Sequence, residues 1–112
     1  MSINRVFITG NVARDPELRV SQSGTAVLSL AVAVDARRKD PQTGQWEDAP
    51  CYIDAAVVGN RAAALADRIR KGARVAVEGH LRHRSWGQDG QRRSKLDVVA
   101  DEVEFMSPRS DG

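Results

Sequence analysis

Residues 52–81, YIDAAVVGNRAAALADRIRKGARVAVEGHL, decide the fold. Tyr52 to Val58 is an apolar-rich run that stops at Gly59, and it reads as a strand. Asn60 then offers an N-cap, Ala62, Leu65, Ala66 and Ile69 recur at helical spacing, and Gly72 supplies a left-handed stop. These signals predict a helix of about eleven residues. From Ala73 to Arg84 the alternation returns through Val75, Val77, Gly79 and Leu81, so a strand follows the helix.

On the N-terminal side, Val6 and Ile8 alternate with Phe7 and Thr9 between Arg5 and Val12, a first strand with a bend or bulge expected near Gly10. Asp15-Pro16 turns the chain, and Glu17 to Val20 forms a short extension before the turn Ser21 to Gly24. Thr25 to Ala36 carries Leu28, Leu30, Val32 and Val34 at period two, a long second strand. The polar stretch Arg37 to Glu47, with Pro41 and Thr43-Gly44, reads as a hairpin with an extended, charged tip. On the C-terminal side, Asp89-Gly90 marks a hairpin turn, Arg92 to Met106 a last strand, and residues 107–112 a disordered end. The order is βββαββ in one domain, residues 1–106. An all-β chain with one helix between its third and fourth strands has the layout of the five-stranded Greek-key OB-fold barrel, a frequent oligonucleotide and oligosaccharide binder.

Seventeen Lys and Arg stand against fifteen Asp and Glu, so the formal charge of +2 singles out no polyanionic partner. Distribution says more. Bases cluster at Arg37-Arg38-Lys39, at Arg82 with Arg84, and at Arg92-Arg93 with Lys95, while acids collect at Asp15, Glu17, Asp101, Glu102 and Glu104. Such segregation makes a basic face despite a near-neutral sum. Met1 to Arg5 shows no basic stretch leading into an apolar run and no long apolar segment follows, so neither classical export nor a membrane span is expected. The single Cys51 cannot form an internal disulfide. Catalysis is not expected: His80 and His83, three apart on one strand, fall on opposite faces, which disfavours a shared metal, and no phosphate-cradling glycine loop occurs. No cofactor is expected.

Several blocks carry a resemblance: Asn4-Arg5-Val6 with Gly10-Asn11, Arg14-Asp15-Pro16-Glu17, Ser23-Gly24-Thr25-Ala26, and Tyr52-Ile53-Asp54 with Gly59. Leu65-Ala66 before Lys71-Gly72, Val77-Glu78-Gly79 with Leu81, Arg84-Ser85-Trp86, Asp89-Gly90 and Val99-Ala100-Asp101 continue it. From Ser2 to about Met106 the chain resembles the bacterial single-stranded-DNA-binding proteins. The resemblance implies a cytoplasmic, nucleoid-associated homotetramer of OB domains that protects single-stranded DNA during replication, recombination and repair.

It also implies a site in which Trp86 and Tyr52 stack bases, while Trp46, in the charged hairpin, either stacks or covers a loop. Arg5, Arg37, Arg38, Lys39, Arg82, Arg84, Arg92, Arg93 and Lys95 complete the set as phosphate contacts. Stacking of this kind tolerates any base. Two positions depart from the family pattern: Arg38 and Val58 stand where many relatives carry aromatics. The acidic tail through which relatives recruit repair and replication proteins has no counterpart before Gly112, so that recruitment is not expected, whether the chain was trimmed or belongs to a tailless paralogue. A competing reading is an OB-fold assembly module whose nucleic-acid groove has decayed.

Overall fold

Leu28, Leu30 and Val32 point inward from the strand Ala26–Val34, and the rest of the architecture assembles around that apolar row. The structure, a computed structural model, describes residues 1–87 and 90–106. Its strands are β1 (Val6–Val12), β2 (Glu17–Val20), β3 (Ala26–Val34), β4 (Arg37–Lys39), β5 (Trp46–Asp48), β6 (Cys51–Val58), β7 (Arg74–Trp86) and β8 (Arg93–Phe105). One helix, α1 (Asn60–Ala66), lies between β6 and β7.

The main sheet runs β1-β7-β8-β6-β3-β2, and β1 also pairs with β3 through Asn11↔Ala33 and Val12↔Val32. That extra pairing closes β1, β7, β8, β6 and β3 into a five-stranded barrel with β2 riding on the edge of β3. β6 and β8 run parallel through Ala55↔Val98 and Ala56↔Val99, while the other paired strands are antiparallel. This is the OB-fold topology that the strand and helix order predicts. The interior is filled by Val12, Leu28, Leu30, Val32, Val57, Val75, Val77 and Val98, with Ala62 and Ile69 plugging it from the helical connection.

Closure requires β1 to approach two partners at once, and Gly10 is where this happens. A methyl group there would run into the Ala33 carbonyl oxygen and lie 2.9 Å from Val32 Cγ1. The bulge expected near Gly10 is instead in β8: Glu78 pairs with Glu102 but Gly79 pairs with Ala100, which leaves Asp101 as the extra residue. The glycine solves a problem of backbone proximity, and the register of β1 on β7 stays continuous.

The helix is shorter than its apolar spacing predicts. Its N-cap is Gly59, at φ 105°, and not Asn60, because the turn out of β6 demands a positive φ. After Ala66 the Arg68 and Ile69 N–H groups both donate to the Leu65 carbonyl, at 3.0 and 2.9 Å, and Ile69 swings into the core from a turn. Gly72 does adopt the left-handed conformation, φ 92°, but it serves the entry to β7, donating its N–H to the Val12 carbonyl at 2.8 Å.

Two hairpins leave the barrel. β4 and β5 form a separate two-stranded ribbon, so the charged tip foreseen between Arg37 and Glu47 is itself strand-paired. β7 and β8 pair out to Trp86↔Arg93, beyond the buried part of both strands. Of the turn foreseen at Asp89-Gly90, Gly90 has φ 88° whereas Asp89, like the C-terminal end 107–112, lies outside the described residues. The radius of gyration, 16.3 Å, exceeds the roughly 13 Å of a compact chain of this length, as projecting arms require. Gly10→Ala is expected to cost about 1–3 kcal/mol by overpacking, read in thermal unfolding as a Tm lower by roughly 4–8 °C per kcal/mol.

Candidate nucleic-acid interface

All five aromatic side chains, Phe7, Trp46, Tyr52, Trp86 and Phe105, are at least 39% exposed, and none contributes to the core. Aromatic side chains bury more apolar area than any others, so a barrel packed only with aliphatic residues leaves its aromatics for external use.

The β7–β8 ribbon organises most of the site. Residues directly opposite one another share a face, as do residues two apart along a strand. The pairs Trp86↔Arg93, Arg84↔Lys95 and Arg82↔Asp97 therefore form one continuous stripe from the ribbon's tip to the barrel wall. Five of the sequence-predicted residues meet there. Arg92 joins them at the tip, where it lines with Ser85, Trp86 and Gly87 a hollow of about 170 Å³. His80 and His83, paired with Val99 and Leu96, fall on opposite faces of the same ribbon.

Asp97 holds this stripe together. Its carboxylate is only 4% exposed and accepts from Arg82 Nε at 3.1 Å and from a terminal nitrogen of Arg82 at 2.9 Å, a two-point fork, with a nitrogen of Arg84 at 3.2 Å. The Arg82 hydrogen bonds hold the Asp97 carboxyl below the usual carboxylate range; burial opposes this, and the charges of Arg82, Arg84 and Lys95 reinforce it. The same hydrogen bonds raise the pKa of Arg82. A guanidinium held this way keeps its remaining N–H groups aimed outward.

Beside the ribbon, the outer positions of β3 and β6 are small. Ser29 faces Ala56, Ala31 faces Asp54 and Ala33 faces Tyr52, so a shallow trough runs along the sheet. Its volume is about 190 Å³, with Val27, Ser29 and Ala56 on the floor and Arg14, Arg19 and Lys95 among the rim residues. Tyr52 stands exposed on the strand that supplies this floor, and Val58, at the end of β6, is exposed as well. Asp54 lies among the bases: Lys95 Nζ is 2.6 Å from one carboxylate oxygen and a nitrogen of Arg14 is 3.8 Å from the other.

The second arm is electrically quieter than its sequence implies. Arg38 is bonded to Glu47 at 2.9 and 3.3 Å and Arg37 lies 3.9 Å from Asp48, so two of its bases face acids across the ribbon. Lys39 is the cross-strand partner of Trp46, whose indole is exposed, at the outer end of the arm. Arg5 lines neither the trough nor the tip hollow: it lies at the barrel end of the β7–β8 ladder, 3.9 Å from Asp101, which also meets His80 Nδ1 at 3.4 Å and accepts through its backbone carbonyl from Arg61. Reading the sequence by basic clusters missed Arg14, Arg19, Asp54 and Asp97. Only Asp97 left a trace, at period two after Arg93 and Lys95, and its meaning depends on the β7–β8 register.

A closed OB barrel with external aromatics and a basic ribbon above a shallow trough has the features of a module that holds an extended, charged polymer. The chain belongs to the single-strand binding protein family, whose model matches residues 3–106. It is 37% identical over 96% of its length to the single-stranded DNA-binding protein of Borreliella burgdorferi, of which the match covers 72%. The protein of the same name from Corynebacterium glutamicum is 40% identical over 88% of this chain, which spans 44% of that relative. Across the relatives from Treponema pallidum, Wolinella succinogenes and Helicobacter hepaticus the chain spans 58, 65 and 64% of their lengths. Among solved structures, a deletion mutant of the single-stranded DNA binding protein from Thermus aquaticus superposes with a TM-score of 0.81 at 31% identity, covering 96% of this chain and 52% of that one. A Plasmodium falciparum SSB complex with ssDNA has the same fold, with a TM-score of 0.81 at 22% identity and coverage of 96 and 97%.

Replacing Asp97 by Asn is expected to cost about 1.5–3 kcal/mol at neutral pH, the usual worth of hydrogen bonds to a charged group. Because the folded-state pKa is lowered, this stability is present above the unfolded value of about 3.9 and is lost as pH falls through the folded value. Urea unfolding of parent and variant at pH 7 and pH 3 should show the gap closing at the acid end.

Proposed function

We propose that this chain binds single-stranded DNA without reading its sequence, stacking bases on Trp86, Tyr52 and Trp46 and placing phosphates against the arginines and lysines around them. The observation that carries this reading is the placement of every aromatic outside the core, with both tryptophans on projecting arms beside cations: Trp86 opposite Arg93, Trp46 opposite Lys39. Stacking needs only a π-face, which every base has, and Arg and Lys follow the backbone without reading base edges. Family membership and relatives named as single-stranded DNA-binding proteins support the same reading.

The role is binding and protection during replication, recombination and repair, with no chemistry performed on the strand, in the cytoplasm at the nucleoid. The working unit is a homotetramer. Exposed Ile3, Phe7, Leu81 and Leu96 supply apolar surface for assembly. Sedimentation should then give a particle of four chains, and a monomer at micromolar concentration contradicts it.

Trp86→Ala is expected to weaken binding of oligothymidine by about 1–3 kcal/mol, the worth of one stacked base. Affinity should fall with salt at a slope near −0.7 per phosphate neutralised, and duplex of the same length should bind far more weakly. A folded Trp86→Ala protein that binds like the parent would favour the assembly-module reading instead.

A further inference from the structure

Three carboxylates line the basic trough, Glu17, Asp54 and Asp97, and they are not equivalent: Glu17 answers only its strand neighbour Arg19, at 3.2 Å. Asp97 is buried and locked in a fork with Arg82. Asp54, one position before the paired residue of β6 as Asp97 is on β8, lies beside it on the adjacent parallel strand with its side chain 39% exposed. Its partners are also exposed: Lys95 to 39% and Arg14 to 68%. An ion pair of this kind is weak and exchangeable, because water competes for both ends.

We propose that Asp54 is a built-in competitor for phosphate that sets how tightly this chain holds a single strand. The inference rests on the single-strand reading above and specifies one of its determinants. Between Lys95 and Arg14 the carboxylate occupies the position a backbone phosphate oxygen takes when DNA lies in the trough. Both groups present a singly charged anion with oxygen acceptors, so a phosphodiester replaces the carboxylate on the same two cations. The displaced carboxylate stays tethered on β6, next to Tyr52, and repels the incoming phosphate. Arg14, Lys95 and Asp54 together carry one net positive charge, enough to neutralise one phosphate; without the carboxylate the same cations neutralise two.

Asp97 cannot exchange in this way. Releasing Arg82 from it strands a buried carboxylate, so that pair stays closed and positions its arginines. The contrast predicts opposite outcomes for the same chemical change on neighbouring strands.

The test is oligothymidine binding, followed by fluorescence at several salt concentrations, for the parent, Asp54→Asn, Asp54→Glu and Glu104→Gln. Asp54 makes only surface pairs, so its variants are expected to fold, which melting curves check. Glu104, on the far side of the ladder from the trough, lines a separate groove with Phe7 and Glu78 and controls for the change in total charge. Asp54→Asn should bind roughly three- to tenfold more tightly, the effect of removing a like charge at a solvated site. Its salt slope should steepen by about 0.7, one further phosphate. Asp54→Glu and Glu104→Gln should match the parent. The proposal is overturned if Asp54→Asn, folded, binds like the parent or more weakly, or if Glu104→Gln gives an equal gain. A parent that does not bind oligothymidine removes the single-strand reading itself, and this inference with it.

Discussion

The barrel exists because one short strand hydrogen-bonds on both of its sides. β1 pairs with β7 from Val6 to Asn11 and, at Asn11 and Val12, with β3, and only a residue without a side chain fits where the three backbones converge. Closure removes the open edges that an otherwise apolar sheet would present. It also gives the β7–β8 ribbon a rigid base, since β7 is clamped between β1 and β8 before it leaves the barrel. The aliphatic interior follows from the same geometry: a narrow barrel has room for Val, Leu and Ala but little for indole rings.

Electrostatics on this surface is a matter of who is paired with whom, not of how many bases are present. Arg37 and Arg38 are answered by Asp48 and Glu47, Arg82 and Arg84 by Asp97, and Lys95 by Asp54. A ligand phosphate therefore competes with carboxylates already in place. Buried and forked pairs resist that competition and fix geometry; exposed ones yield to it. The low net charge of +2 then describes a surface many of whose bases already face carboxylates.

The architecture was legible because its strands alternate cleanly: Leu28, Leu30 and Val32 in β3, and Val75 and Val77 in β7, are buried as their period implies. The helix was overestimated because Ile69 falls at helical spacing yet reaches the core from a turn, and periodicity alone does not distinguish these. The bulge was misplaced because a glycine in a strand signals either a bulge or a close approach. In the site, Trp86, Arg82, Arg84, Arg93 and Lys95 could be grouped by their nearness to one turn. Arg14 and Asp54 could not, because they come from segments far apart in the chain and meet only across β3, where the Ala13 N–H donates to the Ala31 carbonyl and Ala31 pairs with Asp54. Arg5 was grouped with the bases by its charge, whereas the fold directs it to Asp101.

The extra residue in β8 has a consequence for every side chain beyond it. A strand with one inserted residue is two half-strands of opposite parity: before the insertion Val98 and Ala100 face inward, whereas after Asp101 it is Val103 that lies opposite buried Val77 and Glu102 and Glu104 that face out. Drawing Asp101 into the ladder would invert the second half, driving Glu102 and Glu104 toward the interior and Val103 into water, whereas excising it would leave Ala100, Glu102, Val103 and Glu104 in regular alternation. The phase of the whole C-terminal strand thus depends on one residue being left out of the ladder, and a copy of this chain shortened by that one residue keeps its inside in, whereas a single loss elsewhere in the strand does not.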